Sequence, residues 1–446
     1  MIKNALHITL HSTISDHDKN GESFYQKIQA IRQSVADLRD LNLDLERIRD
    51  QYVIHYRQCT EDQNILRQIY KKLKLKFDLS VQESQPEQQQ QLSDSQTQPQ
   101  QSTVIASQPE TKKMPSIESI KLSPQITSTL PNPPSITLRY ALNTSTVICV
   151  VDFSSDGTKF AFADSQYVYI INTEDGDIVS HIELKPHPDS TPENSNTRAL
   201  KFSPNDELLA ISCVNDVYLY DVKTRNLVFT LSGHQKEVTS IVFNKDGSWL
   251  ISGSFDGVIN IWDTKNGVQV NTIPNSQNNA AIIAISTTPE VGFYAIGFSN
   301  GIIGIFDDKF TPPMNIFPAY TRHDDEQAQD MMMSISVSPF DETIATVSKD
   351  KTVKIWVMRF LASCKHTFEG HTDFVLTAAF SPSEPIIFTG SKDRTIRMWQ
   401  YKSGQALCTI SAHHSTIFKV SHHPSSKTFV SCDGDGVVCL WDYKTP

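Results

Sequence analysis

The sequence predicts an all-β propeller of seven blades, preceded by an α-helical coiled coil and a disordered linker. Three observations predict this order. Seven units whose closing residues lie 42 to 50 residues apart repeat over 135–446. Residues 22–79 contain no Gly or Pro and carry apolar residues at steps that alternate between four and three. Residues 80–134, which join the two, are rich in Gln, Ser and Pro.

Composition and charge limit the classes of function. The chain of 446 residues has a formal net charge of −10, and residues 136–446 hold 24 basic and 34 acidic side chains. This acidic surplus disfavours direct DNA binding, because phosphate contacts need Lys and Arg; it permits basic peptides and also fits simple solubility. There is no apolar run of membrane-spanning length, no signal-peptide core and no CxxC pair among the seven Cys. We therefore expect an intracellular protein without a membrane segment or a zinc site.

The segment 22–79 predicts one long helix with an apolar seam in a heptad pattern. The seam residues are Ile28, Ile31, Val35, Leu38, Leu45, Ile48, Tyr52, Leu66, Ile69 and Leu73. Because an isolated helix of this length would expose its seam to water, we expect it to self-associate; pairing with a partner or folding back are the alternatives. Residues 1–21 show little periodicity and are expected to be disordered. The linker 80–134 offers too little apolar surface to offset the entropy of ordering.

One repeat, Gly233–Asp263, shows the pattern of a blade. Its apolar runs Val238–Phe243, Trp249–Gly253 and Val258–Trp262 are separated by Asp-Gly dipeptides, as in an antiparallel meander. The seven units close at Ile171, Tyr220, Trp262, Phe306, Trp356, Trp399 and Trp441. Little chain follows the last unit, so the spare segment Ser135–Leu142 is predicted to supply the outer strand of the seventh blade and to close the ring.

These units resemble WD repeats, which carry Gly-His and Trp-Asp pairs. The resemblance implies a tetrad of side chains: a turn Asp accepts from His, His contacts a strand Ser or Thr, and that hydroxyl meets the Trp N–H. Three complete tetrads align: His234, Ser252, Asp256, Trp262; His371, Thr389, Asp393, Trp399; and His413, Ser431, Asp435, Trp441. The fifth unit keeps Thr346, Asp350 and Trp356 without a Gly-His. Units one, two and four are degenerate, and we expect their blades to depend on apolar packing.

The sequence contains no motif that predicts catalysis. A P-loop, a GxGxxG after a strand, an HExxH and a GxSxG are all missing. We expect no enzymatic activity, no cofactor and no metal. The stretch Cys432–Gly436 could suggest a calcium loop, but a turn between two strands explains it. His413 and His422 could suggest a metal site, but a tetrad position and a loop explain them.

The surface is therefore the remaining candidate for function. In WD repeats, residues near the start of the first strand and before the turn Asp point to the top face of the propeller. Here they are Arg198, Phe255, Met333, Lys349, Phe374, Leu376, Lys392 and Phe418. Exposed aromatic residues at such positions are candidate anchors for a partner protein. The alternative is that they pack into neighbouring loops.

Two stretches carry a wider resemblance. YQKIQAIRQSVADLRDLNLDLERIRDQY from Tyr25 and SITLRYALNTSTVICVVDFSSDGTKFA from Ser135, in the order helix, linker, propeller, resemble the Tup family of transcriptional co-repressors, relatives of Groucho. The resemblance implies a homo-oligomer, a tetramer, formed by the helix. It also implies a nuclear location and, as partners, DNA-binding repressors, a tetratricopeptide-repeat adaptor and histone tails or deacetylases. The alternative is a cytoplasmic scaffold, such as a G-protein-β-like subunit or a trafficking or cytoskeletal adaptor.

Overall fold

The computed structural model describes residues 117–446 except 145, 186, 189–196, 275–279, 288–291, 309, 311–312, 321–331 and 359–361. Over these residues the chain forms seven antiparallel sheets. The predicted segment 1–21, the coiled coil 22–79 with its seam, and most of the linker 80–134 lie outside the described residues. No helix within the described part has the length and apolar character needed to cross a membrane.

Each sheet is one blade, because short β-branched and aromatic runs alternate with turn residues. Three strands precede the first blade: β1 (Glu118–Ile120), β2 (Gln125–Thr127) and β3 (Ser135–Asn143). Blades one to three consist of β4 (Val150–Phe153), β5 (Lys159–Ala163), β6 (Tyr167–Asn172), β7 (Ile178–Glu183); β8 (Leu200–Phe202), β9 (Leu208–Cys213), β10 (Asp216–Asp221), β11 (Leu227–Ser232); and β12 (Val238–Phe243), β13 (Trp249–Ser254), β14 (Val258–Asp263), β15 (Val268–Pro274).

The later blades repeat this plan. Blades four to six consist of β16 (Ile282–Thr287), β17 (Tyr294–Phe298), β18 (Ile302–Phe306), β19 (Asn315–Pro318); β20 (Met332–Val337), β21 (Thr343–Ser348), β22 (Val353–Val357), β23 (Ser363–Phe368); and β24 (Val375–Phe380), β25 (Ile386–Ser391), β26 (Thr395–Gln400), β27 (Gln405–Ser411). Blade seven contains β28 (Ile417–His422), β29 (Thr428–Asp433) and β30 (Val437–Lys444).

The ring is closed by both ends of the propeller. The first strands of successive blades contact one another, and β28 of the last blade contacts β4 of the first. The fourth strand of blade seven is β3, which pairs with β30 from Ser135 opposite Lys444 to Asn143 opposite Val437. The closing strand expected at Ser135–Leu142 is therefore confirmed. The fold is a seven-bladed all-β propeller.

Two further strands lie outside blades seven and six. Strand β1 pairs with the outer edge of β3, and β2 pairs with the outer edge of β27. The Ser128 hydroxyl also donates to the carbonyl of Leu407 at 2.6 Å. The prediction that the linker extends to residue 134 was wrong at this end, because residues 118–127 add strands to exposed sheet edges through backbone hydrogen bonds.

The hydrophobic core is divided among the interfaces between blades. Seven apolar clusters occur in the described part, and each joins two neighbouring blades. Trp262 packs between blades two and three, and Trp399 between blades five and six. In blade one, which has no Trp, Phe160 and Phe162 are fully buried and stack at 6.3 Å. Each blade thus depends on its neighbours for burial.

Candidate functional site

The third blade holds its predicted tetrad. The Trp262 indole N–H donates to Ser252 Oγ at 2.8 Å, and Ser252 Oγ lies 2.8 Å from His234 Nε2. His234 Nδ1 lies 3.1 Å from Asp256 Oδ2, which also accepts the backbone N–H of Gln235. Burial opposes ionisation of Asp256, but these hydrogen bonds prevail and lower its pKa. His234, Ser252 and Trp262 are thus buried, and hydrogen bonds join them to one another and to Asp256 within one blade.

The sixth blade repeats the arrangement with a threonine. His371 lies 2.8 Å from Asp393 and 2.9 Å from Thr389, and the Trp399 N–H donates to Thr389 at 2.9 Å. Burial lowers the pKa of His371 against the opposing pull of Asp393. The pKa of Asp393 is held well below its usual range: burial opposes this, but hydrogen bonds from His371 and Thr395 outweigh it. These shifts favour a neutral His beside an ionised Asp.

The seventh blade corrects one predicted residue. His413 Nδ1 lies 2.8 Å from Asp433, and the Asp435 carboxylate, which the alignment predicted, is not its partner. Asp433 ends strand β29 and points into the blade, whereas Asp435 is exposed at the turn. Asp433 also accepts the backbone N–H groups of Asp435 and Val437, both at 2.9 Å. The Cys432–Gly436 stretch is a turn whose buried carboxylate serves the blade.

The other residues of this tetrad lie where they were predicted. His413 Nε2 lies 2.7 Å from Ser431 Oγ, which accepts the Trp441 N–H at 2.9 Å. Elsewhere in this blade, His422 Nδ1 lies 2.7 Å from the His423 carbonyl, and its Nε2 lies 2.9 Å from the Tyr443 hydroxyl. His413 and His422 therefore both use their ring nitrogens in hydrogen bonds within blade seven.

Two tetrad-like contacts were missed by the sequence reasoning. In the fifth blade the Tyr320 hydroxyl lies 3.0 Å from Thr346 Oγ1, which also accepts the Trp356 N–H at 3.0 Å. Tyr320 therefore takes the place of the missing His. In the second blade His187 lies 3.3 Å from Asp216, and both side chains are largely buried. That blade does not depend on apolar packing alone, which corrects the prediction for the degenerate unit.

Backbone hydrogen bonds place some of the predicted surface residues at one end of the propeller. The Phe255 N–H donates to the Glu237 carbonyl at 3.0 Å, and the Lys392 N–H donates to the Phe374 carbonyl at 2.9 Å. In both blades, these bonds hold the turn between the second and third strands beside the residue that precedes the first strand. We call this end of the propeller the top face.

One group of top-face residues joins blades two and three. The Arg198 guanidinium lies 5.5 Å from the centre of the Phe255 ring and forms an ion pair with Glu237. Arg198 lies on blade two, and the two residues it contacts lie on blade three. A cation over an aromatic face contributes ~0.5–1 kcal/mol at an exposed position. The contact therefore also orients the Phe255 ring at the surface.

A second group joins blades five and six around Phe374. The Lys349 ammonium lies 5.7 Å and the Lys392 ammonium 4.9 Å from the centre of the Phe374 ring. Lys392, half-exposed, lies 3.9 Å from Asp373. The Phe374 ring is itself only partly buried. The structure thus brings three predicted residues together as an aromatic ring flanked by two cations.

The remaining predicted surface residues are packed more closely. Met333 is partly buried and packs against the apolar cluster between blades five and six. Phe418 lies against the turn of its own blade, where a Cβ on Gly434 would come within 3.3 Å of its ring. Leu376 is partly buried on β24. The alternative of packing into neighbouring loops therefore describes Phe418, and Met333 belongs mainly to the core.

Comparison with known proteins identifies four of the blades by their sequences. Residues 225–263, 320–357, 362–400 and 404–442 match the family model "WD domain, G-beta repeat". These segments cover blades three, five, six and seven, which are the blades that contain a tetrad Trp. The fold and these matches together support a propeller of the WD40 type.

Several curated proteins are similar over part of the chain. Pre-mRNA-processing factor 17 of Saccharomyces cerevisiae is 27% identical over 36% of this chain and 34% of its own length. Target of rapamycin complex subunit LST8 of the same yeast is 32% identical over 22% of this chain and 32% of its own. COMPASS component SWD3, also from that yeast, is 31% identical over 29% of this chain and 41% of its own. This chain thus spans less than half of each relative.

The resemblance to the Tup and Groucho co-repressors was wrong. The relatives named above are a pre-mRNA-processing factor and subunits of the target of rapamycin and COMPASS complexes, and the family match is to the WD repeat alone. The helix–linker–propeller order was therefore too general to identify that family. What the fold and the relatives support is a WD-repeat scaffold for protein–protein interaction, a class that is typically non-enzymatic.

Proposed function

We propose that this propeller is a non-enzymatic scaffold that binds a partner protein on its top face, at Phe374 and its two flanking lysines. The observation that carries the proposal is the position of Phe374 between Lys349 and Lys392. Aromatic residues are enriched among the residues that dominate binding energy at interfaces. A ring whose orientation is held by its neighbours also loses little entropy when a partner binds.

The charge of this surface favours an acidic partner. Two ammonium groups flank the ring, and the only carboxylate recorded within 4.0 Å of the Lys392 ammonium in the described residues is that of Asp373, at 3.9 Å. A partner segment with an apolar anchor next to Asp or Glu would contact the ring and pair with Lys392. Such pairing gives selectivity and speeds association more than it adds affinity.

Transcriptional co-repression, with its DNA-binding repressors, adaptor and histone tails, depended on the resemblance that the comparisons overturned, and we do not propose it. We propose a nuclear location, in line with relatives named for pre-mRNA processing and for U3 small nucleolar RNA. Self-association through residues 22–79 stays a proposal from the sequence alone.

A second candidate is a cytoplasmic scaffold within a signalling complex. The observation that favours it is the 32% identity, over 102 residues, to a target of rapamycin complex subunit. In that case the top face would contact another subunit of one stable complex. Capture of the full-length chain from separate nuclear and cytosolic extracts distinguishes the two candidates by the fraction that yields the partner.

The test compares the wild-type chain with the double variant Lys349→Glu, Lys392→Glu. We expect the variant to lose the partner that the wild type captures, because both cations next to Phe374 become carboxylates. Raising the salt concentration should weaken wild-type capture, since exposed charge pairs are screened. Equal capture by the wild type and the double variant would refute the proposal.

The matched control is Phe340→Ala. Phe340 is 48% exposed in the turn between β20 and β21, at the opposite end of the blade from the top face. Its truncation removes an exposed aromatic ring of the same kind. Capture that survives in Phe340→Ala and fails in Phe374→Ala assigns the partner to the top face.

A further inference from the structure

The central channel contains a charged cluster that neither the tetrads nor the Phe374 surface uses. The channel has a volume of about 570 Å³ and is lined by residues of the first strands. Small-molecule sites in proteins typically enclose about 300–1,000 Å³. The channel is therefore large enough to hold a ligand of metabolite size.

Three neighbouring blades contribute to the cluster. Asp152 lies on β4 and Lys201 on β8, and the Lys201 ammonium lies 3.0 Å and 2.9 Å from the two carboxylate oxygens of Asp152. Ser421, on β28, donates its hydroxyl to the same carboxylate at 3.2 Å. Asp152 is only 7% exposed, so Lys201 neutralises a carboxylate that is almost completely buried.

Lys419, also on β28, provides a second ammonium group that this carboxylate does not pair with. Within the described residues, its ammonium group has no hydrogen bond or ion pair. Burial lowers the pKa of Lys419, Asp152 raises it, and Lys201 lowers it further. The Lys419 amino group thus lies inside the channel without a hydrogen-bonded counter-ion, and burial there disfavours its charged form.

The charge of the channel lining differs from that of the whole protein. The chain has a net charge of −10. The lining contains four cationic side chains and two carboxylates: Arg198, Lys201, Lys245, Lys419, Asp152 and Asp308. Cavities lined by an excess of one sign concentrate ligands of the opposite sign. Arg198 and Lys201 are already paired, with Glu237 and Asp152, and Lys245 is exposed at a turn. Lys419 is therefore the cationic side chain inside the channel that an anion could reach.

We propose that the channel binds a small oxyanion, the phosphate or carboxylate group of a small molecule, at the Lys419 ammonium. The anion accepts a charge-assisted hydrogen bond from Lys419 and supplies the counter-charge that the cluster lacks. Asp152 and Lys201 already pair with each other, so a bound anion would pair with Lys419 and favour its ammonium form. The ligand enters along the channel axis and does not compete with a partner on Phe374.

The test measures the melting temperature of the full-length chain in increasing inorganic phosphate or, separately, succinate, with ionic strength held constant by sodium chloride. Binding to the folded state alone raises the melting temperature with ligand concentration. We expect one or both anions to stabilise the wild type, and Lys419→Met to weaken the apparent affinity about tenfold or more. The control Lys265→Met, an exposed lysine in blade three, should respond like the wild type.

If Lys419→Met does not fold, a second variant, Asp152→Asn, tests anion binding in its place. Asp152→Asn removes the carboxylate that occupies Lys201, so this variant should bind the anion more tightly than the wild type. No stabilisation of the wild type by either anion would overturn the proposal. An equal response of Lys419→Met and the wild type, or no gain in affinity in Asp152→Asn, would also overturn it.

Discussion

Removal of strand β3 should open the propeller ring. The strand is the outer strand of the last blade, and its Ile136, Ala141 and Leu142 are at most 8% exposed. The Tyr140 hydroxyl donates to the carbonyls of Asn172 and Thr173 in blade one at 3.1 Å and 3.0 Å. The strand therefore joins blade seven to blade one as well as completing its own sheet.

The expected loss of stability follows from these contacts. Burial of Ile136 and Leu142 contributes ~1.5–3 kcal/mol each. The Tyr140 hydrogen bonds and the half-exposed pair of Arg139 with Asp442, at 2.6 Å, add ~1–2 kcal/mol together. The sum, ~4–8 kcal/mol, is comparable with the whole stability of a typical domain, about 5–15 kcal/mol. A chain without β3 should therefore lose a large part of its folding stability.

The assay compares the melting temperatures of chains that begin at residues 117, 130 and 145. Beginning at 130 removes β1 and β2, whose residues are mostly exposed, so we expect a loss of at most ~2 kcal/mol. Beginning at 145 also removes β3 and should lower the melting temperature by roughly 8 °C or more, at about 2 °C per kcal/mol. Equal melting temperatures for the chains that begin at 130 and 145 would refute the closure by β3.

Three further predictions concern buried polar groups. Asp433→Ala should cost on the order of 2–3 kcal/mol of unfolding free energy, because it removes charge-assisted hydrogen bonds, whereas exposed Asp435→Ala should cost under ~0.5 kcal/mol; urea unfolding checks this, and the reverse order would contradict it. Tyr320→Phe should cost ~1 kcal/mol by removing the hydroxyl that contacts Thr346, and an unchanged urea midpoint would argue against that contact. Burial lowers the pKa of His422 to about 4, so the unfolded chain binds the proton first and stability falls as the pH drops from ~6.5 towards 4; His422→Gln should show a shallower fall over this range in urea unfolding, and an identical pH profile would contradict this.

The repeat pattern predicted the fold well because the spacing of the strands is regular. In each complete tetrad, His precedes the hydroxyl residue by 18 positions. Short strands rich in β-branched and aromatic residues, with an Asp in the turn after the second strand or at its end, mark every blade that keeps this spacing. The sequence could therefore predict seven blades and the closing strand.

The errors arose where side-chain direction or chain insertion decides a contact. Asp433 and Asp435 lie only two positions apart, and the pairing of β29 with β28, in which Asp433 lies opposite Ile417, keeps Asp433 in the strand and leaves Asp435 in the turn. His187 lies further from Asp216 than the 20 to 22 positions that separate His from Asp in the three complete tetrads, so the spacing does not reveal it. Strands β1 and β2 have three residues each and bind by backbone groups, which leave little pattern in the sequence.

The surface was predicted only in part. The repeat position before the turn Asp correctly predicted Phe255 and Lys392 as surface residues. The position near the start of the first strand predicted Arg198 and Phe374. That Lys349 and Lys392 meet over one ring depends on the contact between blades five and six, which no local pattern encodes. The Lys419 charge in the channel was also missed, because a single Lys in a strand usually faces solvent.

Hydrogen–deuterium exchange of the full-length chain with its captured partner tests whether the partner binds on the top face at Phe374. We expect slower exchange on binding at the top-face segments 372–376 and 347–351, with no change at the opposite turns 155–158 and 338–342. The partner complex should lose this protection in the Lys349→Glu, Lys392→Glu variant. Protection confined to the opposite turns or the outer strands, with none at Phe374, would contradict the account.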